Sequence, residues 1–375
     1  MEYRKFEKLG VAPSLLGFGC MRFPLNKDGS ICEPEAEKML DTAIASGVTY
    51  IDTAYPYHNG DSEPFLGRVL KKYDREDFFL ATKLPVWNVN TLDDAKRLFQ
   101  EQLDRLQVEY VDFYLLHCLD KEKWQKVLDL GLIPYFEEMK AEGKIRYFGF
   151  SFHDDYEVFE TIATYRPWNF CQIQYNYVDT DIQAGDRGYA LTEKLGIPLV
   201  IMEPVKGGSL AQLPKDVTIP FTKARPDSSI SSWALRWAAS KPNVKVVLSG
   251  MSTMEQVEDN LHTFENFEPL TEEETALVAE VADNIKKRTK NGCTGCAYCM
   301  PCPFGVDIPK NFRIWNDFSM YGNKEKAKQA FFQDLSPASR GDQCQKCGKC
   351  ETVCPQSISI RKDLESAFRE LNALK

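Results

Sequence analysis

The sequence of 375 residues lacks a long apolar run, an excess of basic residues and an apolar leader. No uninterrupted apolar stretch approaches the roughly 18 residues that cross a bilayer, so we expect no membrane-spanning segment. A net charge of -9 leaves no broad basic surface to neutralise phosphates, which argues against a nucleic-acid partner. The opening residues, MEYRKFEKLG, are charged, so we expect no signal peptide. These absences predict a soluble, cytoplasmic protein without a membrane partner.

What the sequence does contain is a repeated alternation of short apolar runs and helical patterns as far as residue 261. Runs that are apolar almost throughout are typical of parallel strands that are covered on both faces. Helical segments are predicted between these strands, and one of them is 125–142. Thr91 and Asp154 are candidate N-caps of the helices that follow them. The eight predicted strands are LLGFGC (15–20), YIDTA (50–54), FFLATK (78–83), VDFYLLH (111–117), IRYFGFS (145–151), FCQIQYN (170–176), PLVIMEP (198–204) and VKVVLSG (244–250).

Eight strand–helix units within roughly 250 residues predict an α/β fold, a (β/α)8 TIM barrel. We place the barrel at 1–265, a connecting helix at 266–290 and a small, mainly helical C-terminal domain at 291–375. The opening segment YRKFEKLGVAPS is expected to form a hairpin that closes the bottom of the barrel. The stretches DIQAGDRGYA, which overlaps a predicted helix at 182–196, and KGGSLAQLPKDVTIPFTKARPDS, predicted as loop, are expected to line its mouth.

The C-terminal ends of barrel strands carry the chemistry of this fold. Three predicted strands end near Asp52, Lys83 and His117, and Tyr57 follows Asp52 by five residues. A buried ammonium beside a phenol favours the phenolate, and a carboxylate keeps that ammonium charged and oriented. These four residues therefore predict a proton-transfer site. Tyr55 is the competing proton donor.

The segments FGCMRFP, YIDTAYPYHNGDSEPFLGRVL, ATKLP and YLLHCLD resemble the aldo/keto reductases over about residues 1–265. The resemblance implies that Asp52, Tyr57, Lys83 and His117 form a catalytic tetrad. It also implies that NAD(P)H gives a hydride to an aldehyde or ketone while Tyr57 supplies the proton.

By the same resemblance, six residues would bind the nucleotide: Ser151, Gln172, Gly250, Ser252, Gln256 and Asn260. Two departures from the family pattern bear on this expectation. Met202 stands where many members have an aromatic residue, and residues 246–260 contain no Lys or Arg, which strong binders of the 2′-phosphate usually have there. A preference for NADP over NAD is therefore left open.

Two cysteine runs follow the barrel. The second, Cys344, Cys347, Cys350 and Cys354 before Pro355, has the C-x2-C-x2-C-x3-C-P spacing of bacterial ferredoxins that bind [4Fe-4S] clusters. The first consists of Cys293, Cys296, Cys299 and Cys302, with one residue fewer before its last cysteine. Zinc is the alternative metal, but zinc sites use two separated C-x2-C pairs. The runs thus predict a ferredoxin-like domain with two [4Fe-4S] clusters.

In two-cluster ferredoxins, the fourth cysteine of each run binds the other run's cluster. Carried over to this chain, that rule assigns Cys354 to the cluster of the first run. It assigns Cys302 to the cluster of the second run. Local ligation, in which each run holds its own cluster, is the alternative.

Nicotinamide moves two electrons as hydride, whereas a cubane cluster moves one, so a flavin, a substrate radical or a partner must mediate any exchange. The leading hypothesis is an aldo/keto reductase that also carries two clusters and acts on a small aldehyde or ketone. A second hypothesis is a flavin-linked reductase fed by ferredoxin or flavodoxin through the clusters. A third hypothesis is an electron-transfer subunit whose barrel docks a partner. A fourth is that the clusters only stabilise the fold of their domain.

Overall fold

The computed structural model describes residues 1–265 and 267–375. Eight parallel strands of the described chain close into a barrel in sequence order, with the last strand pairing with the first. The strands are β1 Leu16–Gly19, β2 Tyr50–Asp52, β3 Phe79–Leu84, β4 Val111–Leu119, β5 Ile145–Phe152, β6 Phe170–Gln174, β7 Leu199–Met202 and β8 Val244–Ser249. This confirms the predicted (β/α)8 barrel.

The α-helices of the described residues follow the strands and continue beyond the barrel. They are α1 Glu33–Ala45, α2 Ser62–Val69, α3 Leu92–Leu106, α4 Lys121–Asp129, α5 Leu132–Ala141, α6 Tyr156–Tyr165, α7 Gly185–Leu195, α8 Lys215–Ala224, α9 Ile230–Ala239, α10 Met254–Glu265, α11 Glu272–Lys286, α12 Ile308–Tyr321, α13 Lys324–Lys328, α14 Lys349–Thr352 and α15 Ile360–Asn372. No helix among the described residues is long and apolar enough to cross a membrane.

The barrel interior is filled by apolar side chains, as parallel strands covered on both faces require. The opening segment closes one end through two antiparallel bridges, Tyr3 with Ser14 and Phe6 with Val11. Phe6 is fully buried, and its ring centroid lies 5.5 Å from that of Phe113. The hairpin expectation is thereby confirmed. With this end closed by aromatic packing, polar chemistry is confined to the opposite end, where the strands terminate.

Three local predictions were wrong. The helix predicted at 125–142 is two helices, because Gly131 adopts a left-handed conformation (φ 64°) between them. The side chain that caps α6 is Asp155, whereas Asp154 accepts a hydrogen bond from the Lys121 amide. Helix α8 lies in a stretch predicted as loop, since Pro220 inside it obscures the helical pattern.

Thr91 caps α3 as predicted. Its hydroxyl accepts a hydrogen bond from the Asp94 amide, and the Asp94 carboxylate accepts one from the Thr91 amide. This reciprocal capping box satisfies two amides at the start of the helix that would otherwise lack partners.

The described residues divide into two compact units. One comprises Met1–Gly207 with Ser232–Glu272 and contains every barrel strand. The other comprises Gly208–Ser231 with Glu273–Lys375 and contains both cysteine runs. The boundaries at 265 and 291 that the sequence suggests stay a prediction.

The second unit has an apolar core of its own, built largely by α12 and α15. Trp315 on α12 donates a hydrogen bond from Nε1 to the Glu370 carboxylate on α15, at 2.8 Å. Arg340 donates to the carbonyls of Phe331 and Leu335, which fixes the turn after α13. The core residues are Val306, Ile308, Phe312, Ile314, Trp315, Ala327, Phe331, Leu335, Ile360, Leu364, Ala367 and Leu371. Six of the eight cysteines of the two runs pack against this core.

Candidate active site

The four catalytic candidates converge at the C-terminal ends of adjacent strands. Asp52 ends β2, Lys83 lies in β3 and His117 in β4, while Tyr57 starts a short turn after β2. The Lys83 Nζ atom lies 2.6 Å from Asp52 Oδ1 and 5.0 Å from the centroid of the Tyr57 ring. The Tyr57 and His117 rings meet edge to face, with centroids 6.0 Å apart. The structure therefore brings together all four residues named from the sequence.

Lys83 is fully buried, and its charge is sustained by its neighbours. Burial lowers the pKa of its ammonium, whereas attraction to the Asp52 carboxylate raises it, and the pKa lies above its ordinary value. The ammonium also donates to the Thr53 carbonyl at 2.6 Å. Lys83 is thus a fixed cation beside the phenol of Tyr57.

Tyr57 nevertheless remains a phenol. Burial raises its pKa, the Lys83 ammonium lowers it, and burial prevails, so the pKa lies above its ordinary value. This differs from the sequence argument, in which the ammonium alone would favour phenolate. A protonated phenol is the form that can donate a proton.

The neighbouring Tyr55 is engaged elsewhere. Its hydroxyl lies 3.3 Å from both carboxylate oxygens of Glu101, and the Arg105 guanidinium lies over its ring at 4.1 Å. Of the two tyrosines, Tyr57 is the one beside Lys83.

His117 is held as a neutral imidazole. Burial and the nearby Lys83 charge place its pKa well below the ordinary value. Its Nδ1 atom is buried and makes no hydrogen bond within the described structure. The partly exposed Trp87 packs its ring 5.1 Å from the imidazole. The sequence analysis missed Trp87, although its place in the loop after β3 was the available indication.

Behind Lys83, a buried polar network secures β3. The Gln102 side-chain amide donates to the Lys83 carbonyl (3.0 Å) and to Glu63 (2.7 Å), and its oxygen accepts from Tyr114 (2.8 Å). Glu63 also accepts from Thr82 at 2.6 Å. All these groups are buried. Such a network fixes the backbone from which Lys83 projects.

Ser151 and Gln172, expected at the nicotinamide, lie opposite each other on β5 and β6. The Ser151 hydroxyl accepts from the Cys118 amide at 2.7 Å. The Gln172 amide nitrogen contacts the Met202 sulfur at 3.5 Å, and its oxygen is buried without a described partner. An orphaned amide oxygen beside a serine hydroxyl fits a carboxamide ligand, since buried acceptors normally have donors.

Of the four residues expected at the adenosine end, Ser252, Gln256 and Asn260 already make hydrogen bonds within the chain. The Ser252 amide donates to Gln256 Oε1 at 2.7 Å, and the buried Asn260 donates to Ser249 at 2.6 Å. Ser252 also donates from Oγ to the Arg22 carbonyl at 2.7 Å. A Cβ on Gly250 would lie 2.7 Å from Arg22 Cγ, so a larger residue there would displace the Arg22 side chain.

Arg22 thereby places an exposed cation beside a segment that has none of its own. The sequence analysis did not predict a role for Arg22, which is 230 residues from Ser252 in the chain. Its position directly after the first strand, in FGCMRFP, was the available indication.

The cysteines of the two runs line two cavities. One, of about 310 Å³, is lined by Cys302 together with Cys344, Cys347 and Cys350. The other is lined by Cys354 together with Cys293, Cys296 and Cys299. Cys299 also lines the first cavity. Each cavity thus has at least four thiols available, a donor set that fits a [4Fe-4S] cluster. The last cysteine of each run lies with the other run.

Comparison with known proteins supports both parts of the chain. Residues 15–283 match the model of the aldo/keto reductase family, and residues 292–359 match a 4Fe-4S dicluster domain. The uncharacterized oxidoreductase YqkF of Bacillus subtilis (strain 168) is 30% identical over 322 residues, covering 76% of this chain and 99% of its own. L-galactose dehydrogenase of Arabidopsis thaliana is 26% identical over 315 residues, covering 77% and 97%.

Among solved structures, the holo form of the aldo-keto reductase AKR11C1 from Bacillus halodurans matches with a TM-score of 0.63 at 27% identity. The match covers 75% of this chain and 96% of that one. The dicluster match contains both cysteine runs. The chain therefore belongs to the aldo/keto reductase family of oxidoreductases and carries a C-terminal 4Fe-4S dicluster domain.

Proposed function

We propose that the barrel reduces an aldehyde or ketone with NAD(P)H, and in reverse oxidises the alcohol. The observation that carries the proposal is the buried Lys83–Asp52 pair, which lies against Tyr57 while His117 is neutral. When bound, the dihydronicotinamide supplies a hydride to the carbonyl carbon. The carbonyl oxygen then needs a proton, and Tyr57 is the protonated group at this position.

Each residue has a distinct part in that step. A neutral His117 donates a hydrogen bond to the carbonyl oxygen and orients it. Tyr57 passes its phenolic proton to the same oxygen. Lys83 stabilises the phenolate that remains, and Asp52 keeps Lys83 charged and in place. Ser151 and Gln172 would hold the carboxamide of the nucleotide.

The rate of carbonyl reduction should be insensitive to pH between about 6.5 and 10, the interval between the ordinary pKa values of histidine and tyrosine. The pKa of His117 lies below this interval and that of Tyr57 above it, so neither changes charge within it. Alcohol oxidation needs the phenolate, so its rate should rise with pH across the same interval. A pH profile of kcat in both directions checks this. A bell-shaped reduction profile centred near neutrality would contradict it.

Arg22 is proposed as the cation that binds a nucleotide phosphate. Replacing Arg22 with glutamine should weaken NADPH binding by about 10- to 100-fold, as expected when a charge-assisted hydrogen bond is lost. The dissociation constant is measured by fluorescence titration, with Arg97→Gln on the exposed face of α3 as the matched control. A loss confined to NADPH assigns Arg22 to the 2′-phosphate, and an equal loss for NADH assigns it to the pyrophosphate. Unchanged binding of both nucleotides contradicts the proposal.

The cysteine domain is proposed to hold two [4Fe-4S] clusters by crossed ligation. Cys293, Cys296, Cys299 and Cys354 would bind one, and Cys302, Cys344, Cys347 and Cys350 the other. The support is the pairing of each final cysteine with the opposite run around a common cavity. The clusters supply one-electron chemistry when bound.

Anaerobic purification followed by optical and EPR spectra, with and without NADPH, tests both the carbonyl reduction proposed for the barrel and the cluster binding proposed for the cysteine domain. We expect the spectra of two cubane clusters, and NADPH oxidation when an aldehyde is added. Absence of NADPH binding, together with carbonyl turnover by dithionite-reduced protein, would contradict the proposed use of NAD(P)H. That result would favour a reductase that receives its electrons through the clusters. The same spectra reveal any flavin.

A further inference from the structure

Three large apolar side chains are exposed around the cavity of the second cysteine run. Tyr298 is 69% exposed, Val353 52% and Phe304 46%, and all three line the cavity that Cys302, Cys344, Cys347 and Cys350 share. We call this surface, formed by Tyr298, Phe304, Val353 and Lys349, the cluster face. Exposed aromatic groups concentrated in one place are characteristic of interaction sites rather than of ordinary protein surface.

The charged side chains that line the cavity beneath the cluster face are both positive. The charged residues among those that line the cavity are Lys349 and Arg361, and no acidic residue lines it. Arg361 is paired with Glu351 at 2.7 Å, whereas no ion pair or hydrogen bond engages the Lys349 side chain within the described structure. The cavity therefore presents a free cation next to exposed aromatic rings.

The distribution of charge along the sequence points the same way. Residues 291–375 contain 12 Lys and Arg against 9 Asp and Glu, whereas residues 1–290 contain 34 against 46. Two [4Fe-4S] clusters with four thiolates each would add about -4, so the loaded cysteine domain is nearly neutral while the remainder stays strongly acidic. An acidic protein would therefore be repelled least by the cysteine domain, where Lys349 lies. Complementary charge of this kind mainly accelerates encounter and selects the partner.

We propose that the cluster face docks an acidic one-electron carrier protein of the ferredoxin or flavodoxin kind. This inference rests on the proposed binding of a cluster by Cys302, Cys344, Cys347 and Cys350. In each encounter the reduced carrier loses one electron and the cluster in this cavity gains it, with no bond made or broken. The exposed Cys347 lies within the cavity lining, so a carrier seated here would approach the cluster directly.

The small size of the apolar patch suits a short-lived complex. Redox encounters bury less surface than permanent interfaces and depend more on charge. Tyr298 and Phe304 would supply the apolar contact at the centre, and Lys349 the charge at the edge.

The test uses full-length protein with its clusters and a reduced acidic [2Fe-2S] ferredoxin as the probe. The variants are Lys349→Glu and Phe304→Ser. Their controls in the same unit are Lys328→Glu, which reverses a charge on α13 outside the cavity lining, and Ile219→Ser, an apolar residue 47% exposed. Stopped-flow absorbance gives the second-order rate of cluster reduction. Calorimetry with oxidised ferredoxin gives the dissociation constant independently of turnover.

We expect Lys349→Glu to slow reduction by ferredoxin roughly tenfold at low ionic strength and less in high salt. Phe304→Ser should weaken binding at every salt concentration. The two controls should match the wild type. Excess dithionite, which needs no docking, should still reduce the clusters of all four variants completely. Intact EPR spectra establish that the clusters are present.

Two results would overturn the inference: wild-type rates in both face variants, or equally fast exchange with the basic carrier cytochrome c. Failure of the underlying proposal is distinguishable from either result. Wild-type protein without cluster spectra refutes cluster binding, whereas intact clusters that ferredoxin reduces independently of the cluster face refute only the docking. NADPH-dependent carbonyl reduction, followed in the same variants, reports on the barrel separately.

Discussion

Replacing Tyr57 with phenylalanine should lower kcat for carbonyl reduction by about 10²- to 10⁴-fold, the usual contribution of a positioned general acid. The substitution removes only the phenolic hydroxyl, so the ring stays beside Lys83 and His117. The NADPH dissociation constant should therefore stay close to that of the wild type. Steady-state kinetics and nucleotide titration measure the two quantities.

Tyr55→Phe is the matched control. It removes the same atom two residues away, where the hydroxyl faces Glu101 instead of Lys83. We expect its kcat to stay within a few-fold of the wild type. A large loss in Tyr55→Phe with little effect of Tyr57→Phe would reverse the assignment of the proton donor. Small effects in both variants would remove general acid catalysis by tyrosine from the proposal.

Replacing Cys354 with alanine should abolish the cluster of the first cysteine run, although Cys354 belongs to the second run in sequence. The physical reason is that Cys354 lines the cavity of Cys293, Cys296 and Cys299. A cubane that loses one of its four thiolates is expected to be lost or severely destabilised. Iron analysis of the anaerobic protein should therefore show about half the iron of the wild type.

Double variants distinguish crossed from local ligation. Under crossed ligation Cys296 and Cys354 serve one cluster, so the double alanine variant should lose no more iron than Cys354→Ala alone. Cys347→Ala combined with Cys354→Ala should lose both clusters. Local ligation predicts the opposite for each pair. Both double variants contain Cys354→Ala, so any general unfolding that this substitution causes would lower the iron content of both equally. Crossed and local ligation each predict different iron contents for the two double variants.

The barrel could be predicted from the sequence because each strand carries a local apolar pattern and each catalytic candidate stands at a strand end. Asp52, Lys83 and His117 were placed together by that rule alone. The secondary-structure predictions failed where one residue altered the local pattern. Gly131 divides a helix that its apolar spacing would continue, and Pro220 lies inside a helix that proline usually ends.

The balance of forces at the site could not be predicted in the same way. Whether the pKa of Tyr57 lies above or below its ordinary value depends on burial against the charge of Lys83, and burial depends on every element packed around the ring. Arg22 and Trp87 were missed for a related reason. They are distant in sequence from the groups that they adjoin, Ser252 and His117.

By itself, the sequence determined the kinds of chemistry, since the order of strands and the spacing of cysteines are local properties that the chain carries into any fold. The tertiary structure decided those pairings for which the sequence leaves alternatives open or gives no indication. It placed Cys354 with the first run and Cys302 with the second, and it brought Arg22 beside a strand end that has no cation. Those pairings join residues far apart in the chain, and only the packing of the folded protein brings such residues together.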